Sequence, residues 1–333
     1  MHIEIIAELA QGFEGRPEQA RLLLKAAAAA GADAAKFQLV FADELATPGY
    51  KYYDLFRSLE MPDDVWSDLA SYANSLNIGL YLDVFGSRSL QLAEKIGAKV
   101  VKLHGTDIVN IDLLKTIADS SIPTILFGAG GACLSELDQA IRILDDKQII
   151  VLLGFQGYPT PNEANQISRI SLLARYFSQY HQHVTVGFAD HAPSESPLGF
   201  ALAATAIGAG ARVIEKHLTL AQVMKLEDYE SALNPDVFAD FCSIVRGCAE
   251  ALGESELHED FGMNQSEINY RKMVRRHVIA CKDLEAGTIL SPSDLSLKRS
   301  SSEEAITNLE LVYGKTLRKS IQSNFPVCLD DII

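Results

Sequence analysis

Ionisable side chains recur near the ends of apolar, β-rich stretches of this 333-residue sequence. Glu8 lies in the first stretch, Lys36 and Lys102 lie in the second and fourth, and His191 and His217 end the seventh and eighth. Burying an unpaired carboxylate is costly. We therefore expect Glu8 either to pair with a cation or to titrate with a raised pKa, which suits a general acid or base.

The two histidines have two interpretations. A single histidine at a strand end is more often a hydrogen-bonded core residue than a metal ligand. Two histidines on adjacent strands, about 4.8 Å apart, can reach one ion, and neutral imidazole suits a divalent transition metal. From spacing alone, His191 and His217 are either core residues or the ligands of one ion.

The two lysines also have two interpretations. Lys36 and Lys102 are either structural ion-pair partners of Asp107 or Glu8, or a pair of cations that binds a phosphate or carboxylate. The residue pattern favours neither of these roles.

The elements that must position these side chains alternate regularly along the chain. Eight apolar stretches separated by helical patterns predict parallel β/α units with a sheet buried on both faces. We predict a (β/α)₈ TIM barrel over residues 1–254, with its active site at the C-terminal ends of the strands. An open doubly wound sheet is the alternative, but no GxGxxG follows the first strand. The predicted strands are 3–9, 34–39, 79–84, 99–104, 123–128, 148–155, 184–190 and 211–217, and the main predicted helices are 17–30, 64–76, 88–96, 135–144, 164–179, 196–208 and 235–252.

The pattern changes near residue 254. Residues 255–274 are mostly polar and predict a linker. Residues 275–333 show short alternating stretches with turn signals such as Ser291-Pro292, which predict a small β-rich domain. Such a module is too small to bury much core alone, so we expect it to dock on a barrel.

Composition excludes several classes of protein. A net charge of −15 argues against non-specific binding to nucleic acid or anionic membranes. No apolar run reaches the roughly 20 residues of a membrane span, and the N-terminus lacks the basic region of a signal peptide. Five scattered cysteines without a CxxC motif predict free thiols in a reducing compartment. We therefore expect a cytoplasmic protein.

Motifs spread over nearly the whole chain resemble the N-acetylneuraminate (sialic acid) synthase family. IIAELAQGFEG resembles that family's opening strand, GADAAKFQ resembles its GADAVKFQ, and GYPTPNEAN resembles its YPTP-x-E element. GFADH and IEKHLT resemble GFSDH and IEKHFT. LEAGTILSPSDLSLKRS resembles the family's antifreeze-like (SAF) cap, a β-clip domain.

The resemblance implies a carbon–carbon bond-forming transferase. Members condense phosphoenolpyruvate with an N-acylated amino sugar such as N-acetylmannosamine, giving a nonulosonic or related 3-deoxy-2-keto sugar acid and phosphate. It implies that His191 and His217 hold Mn²⁺ or Mg²⁺, which polarises the sugar aldehyde. Glu8 is implied as the acid/base, and Lys36 and Lys102 as ligands of phosphoenolpyruvate. The implied sugar-binding residues are Gln38, Asp107, Tyr158, Asp228 and Arg299.

The resemblance also implies an assembly. In the family the cap closes the site of the partner subunit in a two-fold dimer. We therefore expect a homodimer with exchanged cap domains, in which Arg299 completes the neighbour's sugar pocket.

The chain departs from the family where hydroxyl groups surround the phosphate. The threonine of the family's S-T-P-F is Asp83, the serine after the strand-four lysine is Gly105, and the serine of GFSDH is Ala189. Each lost charge-assisted hydrogen bond is worth about 1.5–3 kcal/mol, so a dianion should bind more weakly. We expect backbone N–H groups at Gly128 and Gly130 to replace some of these donors.

Two other functions remain open. One is a divergent metal-dependent carbon–carbon lyase or synthase with a different donor or acceptor. The other is a non-catalytic barrel that binds a sugar. The joint presence of Glu8, both lysines and both histidines argues against the non-catalytic alternative.

Overall fold

A computed structural model of the chain describes residues 2–154, 157–196, 198–253, 258–302 and 304–333. The chain divides into two compact units, Met1–Gly253 and Glu254–Ile333. In the larger unit, eight parallel strands pair in sequence order and the last strand pairs with the first, which closes a barrel. This arrangement confirms the predicted (β/α)₈ fold. The barrel strands are β1 (Glu4–Ala10), β2 (Ala34–Gln38), β3 (Gly79–Asp83), β4 (Val100–Leu103), β5 (Thr124–Gly128), β6 (Gln148–Leu153), β7 (Val184–Asp190) and β8 (Val213–His217).

Helices follow the strands around the barrel. Local signals set several of their ends. Pro17 opens the first helix, and the Asn110 side chain caps the helix that begins at Ile111 by accepting from the Leu113 N–H at 3.2 Å. Two short helices after β2, and the helix over Ile111–Ala118, were not among the main predicted helices. The helices of this unit are α1 (Pro17–Ala29), α2 (Ala42–Leu45), α3 (Tyr53–Leu59), α4 (Asp63–Ser75), α5 (Ser87–Lys95), α6 (Ile111–Ala118), α7 (Leu134–Ile143), α8 (Ser168–Tyr180), α9 (Gly199–Gly208) and α10 (Pro235–Leu252).

The barrel interior is built in layers, because alternate residues of a strand point to the same side. A first layer is apolar and closes the interior toward the N-terminal ends of the strands. On four strands, the residue two positions after this apolar layer is ionisable and also points into the barrel. The apolar residues on these strands are Ile6, Ala34, Val100 and Val213. The apolar layer consists of Ile6, Ala34, Val100, Leu126, Leu152, Ala189 and Val213.

The smaller unit has its own hydrophobic core. Strands β9 (His277–Ala280) and β10 (Leu295–Lys298) pair antiparallel, and isolated bridges connect the remaining turns. Val278, Leu290 and Val327 are among its buried residues. This architecture agrees with the predicted β-rich domain.

The segment predicted as a linker contains a helix, α11 (Gln265–Val274). The Asn264 side chain accepts from the N–H groups of Ser266 and Glu267, at 2.9 and 3.0 Å, and the Glu267 carboxylate accepts from the Asn264 N–H. This reciprocal cap stabilises a helix that carries no buried residue. The polar composition that suggested a linker therefore belongs, over these residues, to an exposed helix.

Within the described residues, no helix is long and apolar enough to cross a membrane.

Candidate active site

The centre of the barrel holds a buried group of ionisable residues, here called the charged layer. The Lys36 ammonium contacts Glu8 and donates to Asp83 Oδ1 at 2.7 Å, and it lies 3.6 Å from Glu215 Oε2. The Lys102 ammonium donates to Glu215 Oε1 at 2.6 Å and lies 3.8 Å from Glu8 Oε2. Each of these side chains is at least nine-tenths buried. The charged layer consists of Glu8, Lys36, Asp83, Lys102 and Glu215.

These contacts separate the pKa values of the three carboxyl groups. Burial raises the pKa of Glu8, and Glu215 and Asp83 act in the same direction, against the opposing effects of Lys36 and Lys102. Burial acts in the same direction on Asp83 and Glu215, but Lys36 and Lys102 outweigh it and lower the pKa of both groups. Burial opposes the charge of Lys36, but the surrounding carboxylates raise its pKa well above the ordinary value. Glu8 is therefore the carboxylate of this layer best suited to take up and release a proton.

The two histidines meet at the mouth of the barrel. The His191 and His217 ring centroids are 5.4 Å apart, and both residues are buried. The Tyr158 ring lies 4.5 Å from the first imidazole and 5.5 Å from the second. Burial, together with His191 and Lys36, lowers the pKa of His217 well below its usual range. At neutral pH His217 is thus an uncharged imidazole, the form that binds metals.

The histidine pair fits a single metal ion. Two imidazoles bound to one ion at about 2.1 Å per nitrogen have ring centres about 5 Å apart, close to the observed 5.4 Å. In the described part of the chain, no group of three His, Cys, Asp or Glu side chains is placed to hold a metal. The pair therefore suits an ion that completes its shell with water or substrate oxygens, as Mg²⁺ and Mn²⁺ do.

The backbone that carries His191 is held from two sides. Its carbonyl accepts from the Thr160 N–H and from the Ser231 hydroxyl, each at 2.8 Å. The preceding Asp190 accepts from the Ala192 N–H at 2.8 Å and from the Lys216 ammonium at 3.2 Å. Thr160 lies in the loop after β6, Ser231 in the loop after β8 and Lys216 on β8, so neighbouring elements fix the turn that presents the imidazole.

The predicted sugar-binding residues fall into separate places. Gln38 and Asp107 line a polar cavity of about 340 Å³ at the ends of β2, β3 and β4. Tyr158 lies against the histidine pair, and Asp228 Oδ2 is 3.8 Å from His217 Nδ1. Burial raises the pKa of Asp228 to about 7. Arg299 belongs to the smaller unit, where its side chain is exposed.

The glycine-rich turn after β5 explains one departure from the family's motif. A Cβ atom at Gly105 would lie 2.4 Å from the carbonyl oxygen of Gly130, so a serine has no room there. A Cβ at Gly128 would be 3.5 Å from Cε of Lys102, which places this glycine beside the lysine. Gly130 instead lines a second, mainly apolar cavity of about 410 Å³ near α7 and α8. Only one of the two predicted anion-binding glycines thus lies at the charged layer.

Three polar residues at the predicted strand ends belong to the site, although no role was predicted for them. Glu215 accepts the hydrogen bond of Lys102, Asp83 accepts that of Lys36, and His104 Nε2 lies 2.8 Å from Asp83 Oδ2. Side-chain alternation in the strands was the available signal. In the predicted strands, His104 follows Lys102 by two residues and Glu215 precedes His217 by two. Each therefore shares a strand face with a predicted site residue.

Comparisons with known proteins agree with this architecture. A model of the NeuB family matches residues 23–257, and a model of the SAF domain matches residues 275–333. The chain is 28% identical to the N,N'-diacetyllegionaminic acid synthase of Campylobacter jejuni, over 96% of this chain and 97% of that protein. It is 29% identical to the spore coat polysaccharide biosynthesis protein SpsE of Bacillus subtilis, over 89% of this chain and 83% of that protein.

A solved structure extends the comparison to three dimensions. The N-acetylneuraminic acid synthetase of Leptospira borgpetersenii, solved in complex with citrate, superposes with a TM-score of 0.72 at 26% identity. The match covers 83% of this chain and 93% of that chain. The NeuB model alone covers more than half of the sequence and spans β2 to β8, including both histidines. The chain therefore belongs to the NeuB family.

Proposed function

We propose that this protein condenses phosphoenolpyruvate with an N-acylated amino sugar, giving a 3-deoxy-2-keto sugar acid of the nonulosonic type and phosphate. Membership of the NeuB family supports a synthase, since relatives are named as legionaminic and pseudaminic acid synthases. The observation that carries the proposal is the charged layer directly below the histidine pair. It brings a protonatable carboxyl group and two lysines together with two histidines that are candidates for metal binding.

Each residue has a task in this reaction. His191 and His217 hold Mn²⁺ or Mg²⁺, which when bound supplies Lewis-acid polarisation of the sugar aldehyde. Lys102, held by Glu215 and beside Gly128, attracts the carboxylate of the donor. Glu8, whose pKa is raised by burial, delivers a proton to the aldehyde oxygen as C3 of the donor attacks the aldehyde carbon. Gln38 and Asp107 orient sugar hydroxyls in the polar cavity.

A direct assay tests this function. Purified protein with Mn²⁺, phosphoenolpyruvate and a panel of N-acylated amino sugars should release phosphate, and mass spectrometry should detect the condensed acid. The His191→Ala/His217→Ala double variant is the negative control. Absence of phosphate release and of product across the panel, from folded protein with bound metal, would refute the proposal.

A second candidate is a synthase or lyase of the same fold with a different donor. Asp83 favours it, because this carboxylate occupies the Lys36 ammonium at 2.7 Å and adds negative charge where the family places a hydroxyl. Calorimetric titration with phosphoenolpyruvate and with pyruvate distinguishes the two candidates. Binding of pyruvate without binding of phosphoenolpyruvate would replace the first candidate by the second.

Lys102 provides the corresponding variant. For the proposed donor, Lys102→Ala should raise the KM of phosphoenolpyruvate more than about tenfold, because a charged contact of about 1.5–3 kcal/mol is lost. An unchanged KM in a folded variant would remove Lys102 from the donor site.

A further inference from the structure

His104 and Asp83 form a hydrogen-bonded pair at the edge of the charged layer. Their closest atoms, Nε2 and Oδ2, are 2.8 Å apart. The other carboxylate oxygen of Asp83 accepts from Lys36 at 2.7 Å, and the residue is fully buried. Asp83 is thus fixed on one side by a lysine and on the other by an imidazole.

This arrangement selects the tautomer of the imidazole. The positive charges of Lys36 and Lys102 lower the pKa of Asp83 against the effect of its burial, so the group is a carboxylate and can only accept hydrogen bonds. The Nε2 atom of His104 must therefore carry the hydrogen. Within the described residues, Nδ1 of the same ring has no hydrogen-bond partner, and in the neutral ring it is a free acceptor.

The imidazole is also open to a ligand. The His104 side chain is 28% exposed, and the residue lines the polar cavity together with Gln38, Thr106 and Asp107. The ring of Phe85 lies 5.4 Å away and supports one face. His104 directly follows the end of β4, and its contact with Asp83 places the ring beside the charged layer.

We propose that His104 is a catalytic base for the water that adds to C2 of the donor, with Asp83 as its positioning residue. The assignment rests on the proposed function. As the water oxygen bonds to the electron-poor C2, one O–H bond breaks and its proton moves to Nδ1. Asp83 stabilises the imidazolium that forms, as a carboxylate does in other aspartate–histidine pairs. The proton then passes from Nδ1 to the departing phosphate oxygen as the C2–O bond breaks. The C2 hydroxyl gives its remaining proton to Glu8, which had donated one to the aldehyde oxygen, and the C2 keto group forms.

Charge in the polar cavity agrees with this role. Its lining includes the carboxylates of Glu44 and Asp107 and no lysine or arginine among the described residues. A cavity lined by carboxylates and neutral amide side chains favours water and sugar hydroxyls over a second anion. The same lining favours a positively charged imidazole after proton transfer.

The test uses the full-length protein with Mn²⁺, phosphoenolpyruvate and the sugar found active. His104→Ala should lower kcat about 10²-fold or more, leave both KM values and the metal content little changed, and regain activity with added imidazole. His104→Gln should be equally slow and gain nothing from imidazole. His181→Ala is the matched control. It breaks another aspartate–histidine contact, to Asp138 at 3.2 Å, near the N-terminal end of β7, and should keep the wild-type kcat.

Asp83→Asn tests the positioning role. The amide can donate to Nε2 and so move the ring hydrogen to Nδ1, which removes the base. We expect a fall in kcat similar to that of His104→Ala, and ¹⁵N NMR of the imidazole should show the exchanged tautomer. Wild-type kcat in folded His104→Ala and His104→Gln overturns the assignment while the proposed function stands. A wild-type protein that never consumes phosphoenolpyruvate overturns both.

Discussion

Lys36 Nζ lies 2.7 Å from Asp83 Oδ1, and neither residue is exposed to solvent. The same ammonium group contacts Glu8 and lies 3.6 Å from Glu215. One lysine on β2 therefore compensates carboxylates from β1, β3 and β8. Loss of this buried cation should therefore destabilise the protein more than loss of an ion pair at the surface.

Removal of Lys36 should destabilise the protein strongly. Lys36→Met leaves buried carboxylates uncompensated, and we expect the free energy of unfolding to fall by about 3–5 kcal/mol. Urea denaturation measures the change. Lys95→Met is the control, because its ion pair with Asp63 is exposed and worth about 0–1 kcal/mol. Equal losses in the two variants would contradict a structural role for the charged layer.

Metal binding should depend on the histidine pair. His217→Ala removes one of the two imidazoles, so the amount of manganese bound per chain after gel filtration should fall sharply. Inductively coupled plasma mass spectrometry measures this amount. The His191→Ala/His217→Ala variant should retain none, whereas His181→Ala should bind as the wild type does. Full occupancy in the folded double variant would show that the ion is held elsewhere.

Glu8→Gln keeps the shape of the side chain and removes its titration. We expect kcat to fall about 10²-fold or more, the usual scale of general acid–base catalysis, while the metal content stays unchanged. The limb of the pH–rate profile that Glu8 produces should also disappear. A variant with near-normal turnover would exclude Glu8 from the chemistry.

Acid should weaken the smaller unit through Asp294. Hydrogen bonds from Lys282, at 2.8 Å, and from Ser291 lower the pKa of Asp294 from 3.8 to about 2. A lowered pKa in the folded state gives stability that is present above about pH 4 and is lost as pH falls through about 2. The stability difference between wild type and Asp294→Asn, from urea titrations, should therefore shrink over that range. A constant difference would disprove the linkage.

Subunit mixing tests the predicted exchange of caps. If Arg299 completes the partner's site, Glu8→Gln and Arg299→Ala chains are each nearly inactive, but a mixed dimer has one intact site. Activity should return when the two variants are combined under conditions that allow exchange. Demonstrated exchange without recovery would mean that each chain closes its own site.

Much of the barrel could be predicted because its strands are continuous apolar runs. The bounds of β7 were predicted at both ends, and those of the other strands within about two residues. The same apolar runs point to Glu8, Lys36 and Lys102, because a charge buried inside such a run is costly unless it is paired or functional. The helix α11 was not predicted because it has no buried residue and so lacks an apolar face. Its only sequence signal is the Asn264–Glu267 cap.

The pairing inside the barrel could not be predicted in the same way. The sequence predicts Glu8 or Asp107 as an ion-pair partner of the two lysines. Lys36 contacts Glu8 and Lys102 lies 3.8 Å from it, but the hydrogen bond of Lys102 goes to Glu215. Which side chains meet depends on the stagger between strands and on closure of β8 against β1, and neither is a local property of the sequence. The hydrogen bond between Asp83 and His104 likewise joins two residues that only the closed barrel brings together.

The hydrogen bond from Lys102 to Glu215 spans 113 residues of sequence. During synthesis, β4 leaves the ribosome well before the strand that carries its acceptor. At about 5–20 residues per second, the delay is on the order of ten seconds. Over that interval the growing chain holds an interior lysine whose acceptor has not yet been made, so the closed barrel cannot be reached. The closed barrel of this unit therefore forms only after β8 has left the ribosome.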